Sequence, residues 1–198
     1  RLAHSEPVAA LGRVAAQAGP AQVTALDALG RLKAHDALLT LAPDWRGFDV
    51  AARAAYARAV ARLASEAALP VLAEMAADAH ELVRFRAAVG LGATRSPLAG
   101  PHLLRLLADD DPAVFRVALW WCTDTFILPP EAYFPQLIAR LTPATPADIV
   151  RPVLHELLLM RTPGAGQPLA DGEQIDRRID YHALSVWRDP ALAAALAG

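Results

Sequence analysis

The sequence predicts an all-α fold, a right-handed α-solenoid of about five stacked helix pairs that ends in an irregular C-terminal tail. Three observations predict it. The chain repeats itself at a fixed interval of ~31 residues, the signature of stacked structural units. Its apolar residues recur at helical spacing without period-two alternation, and its 198 residues are 55% apolar, enough for a sizeable core.

The repeat is clearest in Val83-Arg84-Phe85-Arg86-Ala87-Ala88-Val89-Gly90-Leu91-Gly92, which realigns one step later on Val114 to Thr123, one step earlier on Ala52 to Ala61, and two steps earlier on Ala21 to Gly30. Within it Val83, Ala87, Ala88 and Leu91 fall at i, i+4, i+5 and i+8, the stripe of a helix with one buried face. This is helix A of each unit. Asp49 and Asp111 stand where a helix is capped, His80 takes that place in the unit between them, and Asp109-Asp110-Asp111-Pro112 reads as a cap region leading into a first-turn proline. A second apolar stripe follows as helix B, at Pro70 to Ala76 and again at Pro101 to Leu107. Strands are not expected, because Ala and Leu outnumber β-branched residues. Neither helix of a unit can bury its apolar face alone, so neighbouring units must stack.

Taken in order, the expected units lie near 5–19, 20–47, 48–79, 80–110, 111–145 and 146–161, making residues 1–161 the solenoid. The first reads as a helix B whose partner would lie upstream, which suggests a longer parent chain. The helix from Ala147 to Met160 arrives later than the regular step requires, delayed by Leu128-Pro129-Pro130 and Thr142-Pro143-Ala144-Thr145-Pro146. Residues 162–198 form a loop, Thr162 to Pro168, then helical candidates at Gly172 to Trp187 and Pro190 to Leu196. Ile175, Ile179, Leu184, Val186 and Trp187 are expected to cap the open end of the stack.

The pattern Val-Arg-x-x-Ala-Ala-x-Gly-Leu-Gly, followed by Pro101 to Leu107 and Asp109-Asp110-Asp111-Pro112, resembles the HEAT repeat, especially the short form found in bacterial lyase-like HEAT proteins. The resemblance is strongest over 80–123. It implies an arginine ladder in which Arg53 and Arg84 meet the capping aspartate of an adjacent unit, Asp111 or Asp49 in the case of Arg84. It also brings three enzymatic alternatives. The deoxyhypusine hydroxylases hold a di-iron centre with four His-Glu pairs, and here there are two, His80-Glu81 and His155-Glu156, out of register. The HEAT-like DNA glycosylases use Trp and Asp, as Trp120 and Asp124 stand at i, i+4, but in a strongly basic groove. A bilin lyase would need a tetrapyrrole cavity.

Composition weighs against these. Nineteen Lys and Arg against 21 Asp and Glu give a net charge of -2, without the basic excess that nucleic acid requires. Charges such as Arg53, Arg58, Arg62 and Glu66 interrupt every apolar run before the ~18 residues of a membrane span. The lone Cys122 sits at the core position of Leu91, and a reducing cytoplasm is the expected location. Gly90-Leu91-Gly92 closes a helix, the reverse of a phosphate cradle. No metal, cofactor or catalytic residue is expected.

The chain is therefore expected to be a non-enzymatic interaction scaffold for a protein partner. Phe85, Arg86, Val89, Arg116, Val117 and Trp120 fall outside the buried stripe, and an aromatic and aliphatic patch flanked by arginines has the make-up of a binding hot spot. A second candidate surface is the helix-B face, where rows drawn at the repeat interval place Thr40, Val71, His102 and Tyr133 together, and Pro43, Glu74, Arg105 and Gln136 beside them; His102, Arg105, Tyr133 and Gln136 are its contact candidates.

Overall fold

The computed structural model describes residues 5–124, 128–142 and 144–161, all in helices and the turns that join them. It divides into two compact units, residues 1–127 and 128–198, and the division falls inside the stretch expected as one repeat over 111–145. The tail expected over 162–198 lies outside the described residues.

In the first unit the long helices are α1 (Ser5–Ala16), α2 (Gln22–Arg31), α4 (Val50–Ala61), α6 (Glu81–Ala93) and α8 (Pro112–Asp124); the short ones are α3 (His35–Thr40), α5 (Leu69–Met75) and α7 (Gly100–Leu106). The A helices α2, α4, α6 and α8 pack each against the next. On their other side α5 lies against α6 and α7 against α8, while α1 takes the same place against α2. This is the layered stack of an α-solenoid, and its core repeats with the sequence. Leu29, Val60, Leu91 and Cys122 are buried at one register position, and Leu26, Ala57, Ala88 and Leu119 at another. Burial pushes the Cys122 thiol up to about 12, so it stays a neutral, inert core group.

The caps follow from the first residues of each A helix. Asp49 accepts from the Ala52 N–H at 2.8 Å, and Asp111 from those of Ala113 and Val114 at 2.9 and 3.0 Å. His80 does the same with Nδ1, accepting from the Leu82 N–H at 3.2 Å. Each satisfies a donor that the first helical turn leaves open.

Arginines lock successive repeats together. Arg53 donates from Nε and Nη2 to Asp78 at 2.9 and 3.3 Å, and Arg84 donates likewise to Asp109 at 2.7 and 2.9 Å. This corrects the expected partner of Arg84, which is neither Asp111 nor Asp49. Asp111 uses its carboxylate on the helix cap; Asp109 stands just before it, turned back by accepting the Asp111 N–H at 2.9 Å, and so faces the incoming guanidinium. The same turn is made by Asp78 with the His80 N–H at 2.8 Å.

At the opposite ends of the A helices, small residues let the backbones approach. A Cβ on Gly30 would lie 2.7 Å from the Ala59 Cα, one on Gly90 3.0 Å from the Ala61 Cα, and one on Gly92 would run into the Trp121 ring. The pairs Gly30–Ala59, Ala61–Gly90 and Gly92–Trp121 share one offset in sequence, so equivalent positions meet at each junction, by close backbone approach at the first two and by a ring over the glycine at the third. The helices α2, α4 and α6 each close in a residue with left-handed backbone, and these too recur in step with the repeat: Lys33 (φ 49°), Ala64 (φ 48°) and Arg95 (φ 53°). Their N–H groups bond back to the Gly30, Ala61 and Gly92 carbonyls at 3.2, 3.3 and 3.0 Å, the left-handed helix ending usually made by glycine.

The second unit contains α9 (Pro130–Ala139) and α10 (Ala147–Arg161), packed on each other through buried Tyr133, Leu137, Ile149 and Val153.

Candidate interaction surface

The side chains outside the core of α6 and α8 form a shallow groove of about 560 Å³. Phe85, Arg116, Val117 and Trp120 line it, with Asp111, Pro112 and Ala113 at the start of α8. These residues meet because α6, which carries Phe85, packs against α8, where Arg116 and Trp120 stand one turn apart. Trp120 is 50% exposed, an unusual state for the largest apolar side chain. It is held by Trp121, whose ring centroid lies 4.4 Å away in an edge-on arrangement. Phe85, Arg86 and Val89 are half-buried, and the Arg86 guanidinium sits over the Phe85 ring at 5.8 Å.

Next to this groove, on α2 and α4, lies a group of charges that the sequence reading did not single out. Asp27 meets Arg62 at 2.7 Å, Arg31 at 3.0 Å and Arg58 at 3.1 Å. The hydrogen bond from Arg62, helped by the charges of Arg58 and Arg31, holds the Asp27 carboxyl below its ordinary value. Burial and the nearby charges of Arg58 and Arg62 lower the pKa of Arg86. Three guanidiniums therefore gather about one carboxylate, and Arg86 lies near enough to feel the charge of two of them. The signal was in the sequence: Asp27 and Arg31 stand one repeat before Arg58 and Arg62, so two i, i+4 pairs occupy one register.

The helix-B rows do not form the expected surface. Val71 is 4% exposed and Tyr133 1%, and Tyr133 is thereby corrected from contact candidate to core residue. In α9 and the turn after it the buried stripe runs through Tyr133, Leu137 and Leu141, and Val71, two repeat steps before Tyr133, is a core position of its own helix B. Gln136 is half-buried in the same unit. His102 and Arg105 are one turn apart, with Nδ1 and Nη2 2.6 Å from each other, beside a hollow of about 280 Å³. Burial first, then the charge of Arg105, holds His102 below the ordinary imidazole value.

His80 is engaged in its cap and lies 3.4 Å from Glu81, while His155 is exposed on α10. Among the described residues no three His, Cys, Asp or Glu side chains gather as metal ligands, and no helix is long and apolar enough to cross a membrane. The side chain of Asp124 lies outside what is described.

Compared with known families, residues 45–121 match the HEAT repeats. The match runs from Trp45, ahead of α4, to Trp121 in α8, and takes in both Arg–Asp locks and the groove-bearing faces of α6 and α8. HEAT repeats are commonly protein-interaction scaffolds and typically carry no catalysis. No curated protein matches the chain.

Proposed function

We propose that this chain, whose central repeats belong to the HEAT family, is a non-enzymatic scaffold that binds a protein partner on the face shared by α6 and α8. The observation that carries this reading is Trp120. A half-exposed indole, braced by Trp121 and set beside Phe85, Val117 and Arg116, is the arrangement that concentrates binding energy in protein interfaces. The apolar groove offers shape and desolvation rather than a set of converging nucleophiles and bases. The cytoplasm is the proposed location, supported by a single cysteine and hence no disulfide within the chain.

A photo-crosslinking residue placed at position 120, compared with one at exposed position 36 on α3, tests the reading in cells. A discrete protein adduct from position 120 alone is the expected result. Equal adducts from both positions, or none from 120, would overturn it.

A further inference from the structure

We infer that the partner segment bound by this face is an extended acidic peptide, with its carboxylates on the α2–α4 arginines and an apolar anchor on Trp120; the inference rests on the reading of the α6–α8 surface. The first argument is charge. Arg31, Arg58 and Arg62 share the single carboxylate of Asp27, and Arg86 adds its charge beside them, so this corner carries an excess of three positive charges on a chain whose net charge is -2. Arg86 has no carboxylate partner among the described residues, and the side chain of Arg31 is 74% exposed. Guanidiniums with unused donors bind carboxylates in a fixed fork geometry, and strongly where water is partly excluded.

The second argument is register. Asp27, Arg58, Val89 and Trp120 occupy one position of the repeat on α2, α4, α6 and α8, so charge and indole lie along one row with Val89 between them. Packed helices lie about 9 Å apart, which puts Trp120 about 18 Å from the α4 arginines. An extended chain rises about 3.3 Å per residue, so the acidic and apolar positions of the ligand are separated by about five or six residues. A nucleic-acid backbone fits less well. It repeats its charge along its whole length, whereas the basic corner gives way at α8 to an apolar groove in which Arg116 stands beside Asp111.

The test is selection of random 12-residue peptides displayed on phage against the whole chain, followed by anisotropy measurements on labelled winners. Winners are expected to carry a pair of Asp or Glu five or six residues from Trp, Phe or Leu. Replacing those acids by amides should weaken binding at least ten-fold on the unmodified protein, and Arg86→Gln should weaken it several-fold. Winners with an apolar anchor but no acids, or with no preferred spacing, would overturn the inference while leaving the Trp120 surface standing. Winners insensitive to Trp120→Ala, or no winners, would overturn both. Tighter binding of a 20-residue oligothymidine than of any peptide would identify a nucleic-acid surface instead and end the peptide inference.

Discussion

The junction between α4 and α6 and the junction between α6 and α8 are built alike at one end and differently at the other. Each begins with an arginine held two-pronged by an aspartate from the turn before the next A helix, Arg53 with Asp78 and Arg84 with Asp109. Each ends where an A helix rests on its neighbour's last turns. In the first junction Ala61 meets Gly90, two small residues; in the second Gly92 meets the indole of Trp121. The common end sets the spacing of the repeats. The variable end decides what the surface carries, because the ring that fills the space above Gly92 also holds Trp120 out on the groove.

The comparison can be broken most directly at the locks. Asp78 and Asp109 are 6% and 7% exposed, so Arg53→Ala or Arg84→Ala leaves a poorly solvated carboxylate without its guanidinium, and each is expected to cost about 3 kcal/mol in urea unfolding. Double-mutant cycles on the two pairs should give equal coupling energies; a difference above about 1 kcal/mol would show that the two ends are not alike after all. At the other end, Gly92→Ala drives a Cβ into the middle of an indole and should cost about 2 kcal/mol, with a shifted tryptophan emission. Gly90→Ala is expected to cost less, about 1 kcal/mol, because its obstacles, a Leu72 methyl at 2.7 Å and the Ala61 Cα at 3.0 Å, stand farther off than the indole does from Gly92. A larger effect at Gly90 than at Gly92 would remove the special place given to Trp121.

A smaller effect is expected from the charges on α2 and α4. The Asp27 carboxyl is lowered in the folded chain, so its stabilising contribution is present above the unfolded value near 3.8 and is lost as pH falls through the folded one. Asp27→Asn should therefore lower stability at pH 7 and leave it less dependent on acid below pH ~4, read by thermal unfolding across that range. Equal acid dependence in both proteins would place the acid-sensitive group elsewhere. The smallest effect is Trp120→Ala, expected to change stability by less than about 1 kcal/mol because half of the side chain is already in solvent. That variant separates binding from folding.

Much of this architecture was legible because the repeat interval fixes which face of each A helix is buried, and Val83, Ala87, Ala88, Leu91 and Cys122 lie in the core as that interval requires. The stacking of neighbouring repeats was legible for the same reason. The choice of Asp109 over Asp111 was not, since both are acidic and only the loop conformation before α8 decides which carboxylate caps and which turns back. Tyr133 was misplaced because its row mixes core and surface positions, Val71 being buried and Thr40 exposed, so the repeat interval alone does not decide which side of a short helix B faces the core. Asp27 and its arginines escaped notice because each pair alone looks like an ordinary solvated helix pair. Their convergence depends on two helices packing side by side.

The left-handed residues at 33, 64 and 95 carry a further consequence for how the stack comes apart. Lysine, alanine and arginine share no preference for that conformation, which costs a non-glycine residue about 1 kcal/mol. The turn must therefore be imposed by the helices docked on either side of it. Once one of them lifts, the backbone relaxes to negative φ and the geometry that would guide re-docking is lost. Fraying should then advance by whole repeats, and hydrogen exchange should show amide protection falling in blocks of about 31 residues rather than along a smooth gradient.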